Sequence, residues 1–561
     1  MSKAILECVP NFSEGRDPAA IKAITDAIES AEGIQLLDAD PGKATHRTVV
    51  TFVGEPEAVV EAAFRGIKKA AEVIDMSRHQ GEHPRMGATD VCPLVPVSGI
   101  SLEEAAEWAR RLGERVGREL GIPVYLYEAA ASRPERKNLA DIRAGEYEAL
   151  PEKLTRPEWA PDYGPAAFHA KAGATVIGAR DFLVAYNVNL NTTSERRANS
   201  VAFDVREKGR ILREGDPVTG KVITDANGEP MRSTGMCKGV KAIGWYIPEY
   251  GVAQVSMNIT DIQATALHEA YEACRQSADA RGMRVTGSEL VGLVPLSVML
   301  DAGRYYLAQQ QRSLGVSEEE IIKIAVKSMG LDELGPFDPA QKIVEYRLRA
   351  AEARPLAAMD LRRFANETAS ESPAPGGGSI SAYVGALGAS LGAMVANLSS
   401  HKRGWDDRWE AFSQWAERGQ RLKDELLRLV DDDTQAFERV MEAFRLPKET
   451  EAEKTARKAA IQLATKGATA TPFRTLELAI EIFPICRAMV QEGLKASVSD
   501  AAVGALCARA AAHGAFLNVL VNTGSLDDKT FADDLLARGQ ALIAQADAAE
   551  AEILDLARAK M

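Results

Sequence analysis

The stretch HQGEHPRMG at residues 79–87 combines two histidines and an arginine in one short segment. Histidine titrates near neutrality, so one of these imidazoles, held by a rigid loop, could act as a general acid and base. Two histidines at positions i and i+4 could also bind zinc on a helix, but Gly81 and Pro84 disfavour a helix here. A structured turn with surface histidines is the third interpretation. Arg85 would supply positive charge for an anionic substrate.

Two further motifs bring polar side chains to predicted strand ends. Asn11 begins the stretch NFSEGR, which follows the first predicted strand, and such a loop is also typical of ordinary helix capping. Asp40 ends the stretch LDAD, and an aspartate at a strand end can orient and charge-stabilise a catalytic histidine. A simple turn carboxylate is the alternative for Asp40.

The segment GPAAFHAKAG lies between two predicted α/β units. Loop-forming residues, an aromatic side chain and a lysine occur together in it, so a ligand-binding loop and a plain connector fit its composition equally well. Its residues are Gly164, Pro165, Ala166, Ala167, Phe168, His169, Ala170, Lys171, Ala172 and Gly173.

The last third of the chain offers two more candidates. Gly376, Gly377 and Gly378 precede a predicted helix, whose free backbone N–H groups could hold an anion such as a carboxylate. A flexible linker is the alternative. The run DDD at residues 431–433 falls within an amphipathic helix, where charge runs usually form a solvated face. Alternatively, one of these carboxylates points into a cleft and shuttles protons.

Short apolar runs alternate with amphipathic helices over about the first 330 residues. Their order is β-α-β-β-α-β with an added helix and strand, and the βαββαβ order begins again at Asp181, with its last strand expected near residues 290–294. This pattern predicts an α/β (α+β) half built from two ferredoxin-like βαββαβ subdomains with a groove between them. Residues 207–240 interrupt the pattern and are expected to form a long hairpin or surface loop.

From about residue 355 onward the pattern is helical throughout, which predicts an all-α bundle. Prolines, including Pro472 and Pro484, are expected to separate its helices. The uncharged stretch from Ser372 to Ser400 is rich in Gly, Ala and Ser. Buried bundle helices carry the same small-residue face, so no membrane span is expected.

The bulk composition limits the classes of function. The chain has 561 residues and a formal net charge of −13, without a polybasic run, so nucleic acid is an unlikely partner. An anionic substrate would need local positive charge or helix N-termini to offset this field. The six cysteines form no CxxC pair, which predicts reduced thiols in a cytoplasmic protein.

Several long motifs carry a resemblance to a known family. CVPNFSEGR at 8–16, DMSRHQGEHPRMGATDVCP at 75–93, RAGEYEAL at 143–150 and GSELVGLVPL at 287–296 resemble the first domain of the formiminotransferase-cyclodeaminase family. APGGGS at 374–379, LVDDDTQAF at 429–437, RLPKET at 445–450 and FLNVLVN at 516–522 resemble its second domain.

The resemblance implies a domain plan and site residues. The expected domains are 1–180 and 181–335 for the two formiminotransferase subdomains, 336–355 for a linker helix, and 356–561 for the cyclodeaminase. His83 matches the catalytic histidine of the transferase, with Asp40 as its expected partner. Residues 164–173 match the folate-binding segment, although His169 and Lys171 are unexpected there. Asp433 matches the catalytic aspartate of the cyclodeaminase, and crowding by its neighbours Asp431 and Asp432 could raise its pKa.

The resemblance also implies a bifunctional folate enzyme of histidine degradation. The formimino group of N-formimino-L-glutamate would pass to tetrahydrofolate, and the product would cyclise to 5,10-methenyltetrahydrofolate with release of ammonia. Tetrahydrofolate is the expected co-substrate, in polyglutamylated form. Lys402, Arg403 and Lys448 are candidates for a basic patch that would hold its polyglutamate tail. No metal is expected. The small-residue helices and the family's ring assemblies favour a homo-oligomer.

Two other readings stay open. The same folds could use a formyl donor, or act as a methenyltetrahydrofolate cyclohydrolase. The chain could instead be an interaction scaffold without catalytic activity.

Overall fold

The computed structural model describes residues 4–43, 45–81, 84–215, 219–349 and 355–561. These residues form two compact units. The first unit comprises Met1–Ala302 and Val326–Arg349, and the second comprises Gly303–Ala325 and Ala350–Met561. The first unit is a mixed α/β structure and the second is mostly helical, so the predicted fold class is confirmed.

The strands are β1 (Ile5–Cys8), β2 (Asn11–Phe12), β3 (Ile34–Gly42), β4 (Arg47–Gly54), β5 (Thr89–Ser98), β6 (Val124–Glu128), β7 (Thr175–Ala179), β8 (Val184–Leu190), β9 (Val240–Ile247), β10 (Val252–Ile259) and β11 (Val285–Val291).

The helices of the first half are α1 (Pro18–Glu29), α2 (Pro56–Val73), α3 (Leu102–Leu120), α4 (Leu139–Arg143), α5 (Leu150–Lys153), α6 (Glu195–Val205), α7 (Leu267–Asp279), α8 (Leu296–Gln309) and α9 (Glu318–Met329). They are followed by α10 (Pro339–Lys342), α11 (Val344–Arg349), α12 (Leu361–Thr368), α13 (Gly377–Ser400), α14 (Trp409–Arg445), α15 (Glu451–Glu492), α16 (Val498–Thr523) and α17 (Lys529–Lys560).

The first sheet contains seven strands. β1 and β2 both pair with β4 on one side and β5 on the other, and β3 pairs with the far edge of β4. β7 is inserted between β5 and β6 and runs parallel to both. The sequence pattern did not predict β7, because this strand of five residues follows a Gly- and Ala-rich segment and contains Gly178.

The second sheet has the strand order β11-β8-β10-β9, and all its pairs are antiparallel. With α6 and α7 this gives the predicted βαββαβ order. The last strand was placed too late: it spans Val285–Val291, not residues 290–294. Apolar side chains of β8, such as Tyr186 and Val188, are fully buried on one face, and the alternate positions Asn187 and Asn189 are polar.

The segment at residues 207–240 contains no long strand in its described part. Isolated bridges join Ile211 to Arg232, Arg213 to Val222 and Thr224 to Pro230, as in an irregular hairpin. Residues 216–218 lie outside the described residues. The predicted linker helix at 336–355 is not one helix: α10 and α11 are separated at Ile343, and residues 350–354 lie outside the described part.

The second unit is built around long helices. Small residues let α13 approach its neighbours: a Cβ atom on Gly388 would lie 2.9 Å from the carbonyl oxygen of Gly504 in α16, and one on Gly392 would lie 2.9 Å from Ile485 Cγ2 in α15. α15 continues through Pro472 and Pro484, so the prediction that these prolines separate helices was wrong.

Two helical stretches in the described residues, Gly377–Ser400 and Lys495–Thr523, are long and apolar enough to cross a membrane by length and composition. In the first of them 61% of the most apolar window is buried inside the bundle. This burial agrees with the interpretation of α13 as a core helix.

Candidate active sites

The loop that carries the predicted catalytic histidine is extended, not helical, on both sides of that residue. Residues 79–81 and 84–86 have no helical turn after the short 3₁₀ helix Met76–Arg78. This excludes the helical zinc arrangement for the described part of the loop. Glu82 and His83 lie outside the described residues, so the role of His83 stays a prediction.

Arg85 is paired with carboxylates of its own chain. Its Nη1 donates to Glu146 and Glu148 at 2.9 Å each, and its Nη2 donates to Glu148 at 2.6 Å. These hydrogen bonds raise the pKa of Arg85, and the hydrogen bond to Glu148 has the largest effect. The residue Arg85 is 8% exposed. Its charge is paired with two carboxylates of the chain, and its expected role with an anionic substrate stays a prediction.

The predicted folate segment meets the histidine loop at one end. A Cβ atom on Gly173 would lie 2.2 Å from the carbonyl oxygen of Met86, and one on Gly87 would lie 2.3 Å from that of Ala174. Gly173 also has a φ of 68°, which favours glycine. The amide of Ala174 donates to Met86 at 3.0 Å. The fold thus joins two motifs that are more than 80 residues apart in the sequence.

Within the folate segment, the side chains have different environments. The exposed Phe168 ring lies 5.4 Å from that of Tyr147, and residues 164–168 are all exposed. The two unexpected residues have local partners: His169 Nδ1 accepts from the amide of Ala172 at 3.0 Å, and Lys171 donates to the carbonyl of Glu72. At the start of the segment, a Cβ atom on Gly164 would lie 2.4 Å from the carbonyl oxygen of Ile122, which follows α3.

Asn11 belongs to a buried polar network beneath the loop. Its Oδ1 accepts from Arg47 Nε at 2.9 Å, and Arg47 Nη1 donates to Asp90 Oδ2 at 2.6 Å. Asp90 is fully buried, also pairs with Arg143, and accepts from the amide of Met86 at 2.9 Å. Burial lowers the pKa of Arg47 to about 10. A ligand-binding role for Asn11 stays a prediction.

Sequence reasoning missed three members of this network, Arg47, Asp90 and Arg143. Two of them were within reach: Asp90 and Arg143 fall inside the motifs DMSRHQGEHPRMGATDVCP and RAGEYEAL that carry the resemblance. Only their pairing across 53 residues reveals why both motifs contain a charged residue at these positions.

Asp40 lies on β3, opposite Val49 of β4. It is close to Asp38, whose pKa is raised mainly by burial and then by Asp40. Its charge also contributes to the raised pKa of Tyr250, which is caused first by burial. Its expected partner His83 lies outside the described residues, so this partnership stays a prediction.

The second candidate site lies in the helical unit, where Asp433 of α14 meets the start of α13. Asp433 Oδ2 accepts from Ser379 Oγ at 3.1 Å, and the carboxylate also accepts from the Ser379 backbone amide. A Cβ atom on Gly378 would lie 2.2 Å from Asp433 Oδ1. The start of α13 thus holds a carboxylate of the chain itself through Ser379, and a ligand-binding role for Gly376, Gly377 and Gly378 stays a prediction.

Burial raises the pKa of Asp433, and the hydrogen bonds from Ser379 partly oppose this effect. The expectation that Asp431 and Asp432 crowd it was therefore wrong. Asp431, which is 2% exposed, turns away and accepts from the amides of Leu356 at 2.9 Å and Ala357 at 3.1 Å. The reason is helical geometry, since adjacent residues point about 100° apart around the axis.

The basic residues proposed to hold a folate tail do not form one patch. Lys402 and Arg403 follow the C-terminal end of α13, and Asp433 lies at its N-terminal end; a helix of 24 residues separates these ends by about 35 Å. Lys448 lies just beyond the C-terminal end of α14, which is the end of this helix nearer to Asp433.

Comparison with known proteins decides the family. Residues 5–180 match the family model described as "Formiminotransferase domain, N-terminal subdomain", residues 185–349 match "Formiminotransferase domain", and residues 360–541 match "Formiminotransferase-cyclodeaminase". The chain is 42% identical over 551 residues to the formimidoyltransferase-cyclodeaminase of Mus musculus, covering 98% of both chains. The chain belongs to the formiminotransferase-cyclodeaminase family.

Two shorter relatives of this family member match its halves separately. A glutamate formimidoyltransferase of Streptococcus pyogenes is 42% identical over 303 residues, which is 54% of this chain and 93% of that protein. A methenyltetrahydrofolate cyclohydrolase of Methylorubrum extorquens is 36% identical over 201 residues, which is 36% of this chain and 97% of that protein. The resemblance of the motifs and the prediction of an enzyme are confirmed.

Proposed function

We propose that this formiminotransferase-cyclodeaminase family member catalyses two successive folate reactions. It transfers the formimino group of N-formimino-L-glutamate to N5 of tetrahydrofolate, giving glutamate and 5-formiminotetrahydrofolate. It then cyclises this product to 5,10-methenyltetrahydrofolate and ammonia. The observation that carries the proposal is the match of the whole chain to a formimidoyltransferase-cyclodeaminase, with 98% of both chains covered.

For the transfer, N5 attacks the amidine carbon, loses a proton, and the glutamate nitrogen must gain one as it leaves. His83 is the proposed general acid and base, with Asp40 orienting it, and such proton transfer contributes about 10²–10⁴-fold in rate. The folate ring system would lie along residues 164–173. The contact between this segment and the histidine loop at Gly87 and Gly173 supports that assignment.

For the cyclisation, N10 attacks the formimino carbon and ammonia leaves. The leaving nitrogen needs a proton, and Asp433 is the proposed donor. Its position supports this role: burial raises the pKa of this carboxyl, which favours the protonated form that a general acid requires. The hydroxyl and the backbone amide of Ser379 would fix the orientation of this carboxyl.

A cyclohydrolase is the second candidate for the helical unit, because the Methylorubrum relative carries that name. One experiment separates the two. The purified chain is mixed with N-formimino-L-glutamate and tetrahydrofolate, and methenyl absorbance and free ammonia are followed together. Equal yields of both support cyclodeamination. Consumption of added 5,10-methenyltetrahydrofolate, with no ammonia from the mixed substrates, would favour a cyclohydrolase.

We infer that the folate co-substrate is polyglutamylated and that Lys448 contributes to binding its tail. Lys448 follows the C-terminal end of α14, which is the end of this helix nearer to Asp433. Lys402 serves as the matched control at the far end of α13. Lys448→Glu should raise the KM of the cyclodeaminase for polyglutamylated substrate but not for the monoglutamate, and Lys402→Glu should change neither. Equal effects of both variants would contradict this assignment.

We infer that the protein is a homo-oligomer and that α16 forms part of the contact. Exposed apolar residues of α16 form two pairs three residues apart: Val503 and Leu506, and Leu517 and Leu520, all 41–62% exposed. The pairs are about three helical turns apart, so the four side chains share one face of the helix, as in a helix that packs along a second helix. Leu506→Glu should dissociate the assembly in light-scattering measurements, and Leu463→Glu, at an exposed leucine of α15, should not. An unchanged mass for Leu506→Glu would exclude this face.

We propose a cytoplasmic location. The six cysteines are all free in the structure, and five of them are buried, which fits a reducing compartment. Cell fractionation with marker enzymes tests this location.

A further inference from the structure

The mechanism proposed above assigns no part to His79, although this residue belongs to the same loop as His83. Its side chain is 8% exposed. Both ring nitrogens have partners within the chain: Arg85 Nε donates to Nδ1 at 3.3 Å, and Nε2 lies 2.9 Å from the carbonyl oxygen of His46. Because arginine can only donate, Nδ1 is the acceptor and Nε2 carries the proton. The two contacts therefore fix one neutral tautomer.

The surroundings of His79 favour this neutral form. Burial and the charge of Arg85 lower its pKa, and the bond to the His46 carbonyl acts in the opposite direction. Glu14 and Arg16 also act on it, and charge interactions couple it to Glu148 and to His46. With both nitrogens engaged inside the protein, this imidazole has no free position for exchanging protons with a substrate.

The partners of His79 lie on different parts of the first unit. His46 belongs to the turn before β4; its φ of 50° is unusual for a residue with a side chain, and its Nδ1 accepts from the amide of Gly15 at 3.1 Å. The rings of His46 and His79 are 4.4 Å apart. On the other side, Arg85 is bound to Glu146 and Glu148. His79 thus links the turn at 45–46 to the segment at 146–148.

This link lies at the base of the loop. Just after His79, the chain passes so close to the turn that a Cβ atom on Gly81 would lie 2.5 Å from the carbonyl oxygen of Thr45. Just after Pro84, it is held by Arg85, whose backbone carbonyl accepts from the amide of Tyr147 at 2.9 Å. The two ends of the loop, Gly81 and Pro84, are therefore fixed relative to each other through His79 and Arg85.

We propose that His79 is a positioning residue of the formimino transfer, which holds both ends of the loop that carries His83 by bridging the His46 carbonyl and the Arg85 guanidinium. The inference rests on the proposed transferase function. Because Gly81 and Pro84 flank Glu82 and His83 directly in the chain, any shift between them is passed to His83 through covalent bonds. A displacement of about 1 Å at a catalytic group can cost about 100-fold in rate.

Two variants of the full-length protein test this role. Leucine at residue 79 fills similar space without either hydrogen bond. Glutamine offers an oxygen that can accept from Arg85 and an amide that can donate to His46. We expect His79→Leu to lower the kcat of glutamate release about 100-fold, with both KM values within about twofold of wild type. His79→Gln should recover most of this loss.

Two internal controls accompany the measurement. Cyclisation of added 5-formiminotetrahydrofolate should be unchanged in both variants, since Asp433 lies in the other unit. The pH profile of kcat should keep its midpoint while its plateau falls, because His79 does not exchange the reacting proton. A profile that becomes flat in His79→Leu would overturn the proposal by making His79 the acid and base itself.

Other outcomes are equally decisive. Wild-type kcat in His79→Leu, or no recovery in His79→Gln, would refute the bridging role. A loss of kcat that merely follows a fall in the folded fraction, measured by thermal unfolding, would reduce His79 to a stability role. If wild-type protein releases no glutamate, the proposed transferase function fails and the role of His79 fails with it for that separate reason.

Discussion

Gly378→Ala is expected to disable the cyclodeaminase while the transferase continues to work. A Cβ atom at this position would lie 2.2 Å from Oδ1 of Asp433 and 2.5 Å from its Cγ. Carbon–oxygen contacts normally lie at about 3.3–3.6 Å, so the carboxylate would have to retreat by about 1 Å. The movement would break its hydrogen bond with Ser379.

The expected size of the effect follows from this displacement. A shift of about 1 Å at a proton donor predicts a fall of about 100-fold in kcat. The backbone itself accepts alanine, because Gly378 does not have a positive φ and alanine favours a helix over glycine by about 1 kcal/mol. Overall stability should therefore change little, and the loss of activity should not reflect unfolding.

The assay starts from added 5-formiminotetrahydrofolate and records methenyl absorbance together with ammonia. Glutamate release from N-formimino-L-glutamate, measured on the same preparation, reports the transferase. Gly376→Ala is the matched control, because a Cβ atom there meets nothing closer than the carbonyl oxygen of Pro373 at 4.0 Å. Full cyclodeaminase activity in Gly378→Ala would refute the assignment of Asp433 and its contact with α13.

Three further predictions concern buried charges. Asp433→Asn should abolish cyclisation and spare the transfer. Because burial disfavours the ionised carboxylate, the melting temperature of this variant at pH 7 should be no lower than that of wild type. Equal loss of both activities would contradict this. Asp90→Ala should destabilise the first unit by about 3–5 kcal/mol in urea unfolding, since it leaves Arg47 and Arg143 without their buried carboxylate; a change below about 1 kcal/mol would show that the network is dispensable. Burial raises the pKa of Glu7 from 4.5 to about 7. The contribution of Glu7 to folding stability is therefore complete below pH 4.5 and is lost as the pH rises to about 7. The loss amounts to about 3 kcal/mol. Glu7→Gln should therefore stabilise the protein at pH 8 but not at pH 4, and equal unfolding midpoints at pH 8 would count against it.

The sequence by itself determined most of the local structure. Asp17 and Pro18 are residue types that favour the start of a helix, and at the start of α1 the Asp17 side chain accepts from the amide of Ala19 as a cap does. Short apolar runs predicted strands such as β3 and β4. These features depend on neighbours within a few residues, and such short-range preferences can be read from sequence order.

The tertiary structure decided features that depend on distant residues. β7 pairs in parallel with β5 and with β6, which are distant from each other in the sequence and give it backbone partners along both edges. α15 continues through Pro472 and Pro484 because the bundle buries this helix: Pro472 is buried and so are most of its neighbours up to Val490. Packing energy there exceeds the local cost of proline, which is about 3 kcal/mol.

The same division holds for the sites. Motif resemblance pointed to Asp433, and its adjacent aspartates were expected to raise its pKa, whereas burial raises it and the hydrogen bonds from Ser379 oppose this effect. Likewise, the sequence suggested that Arg85 supplies positive charge to the loop, and only the fold reveals that Glu146 and Glu148 pair with it. A side chain's charge state depends on groups within a few ångströms in space, and sequence order alone does not specify which groups those are.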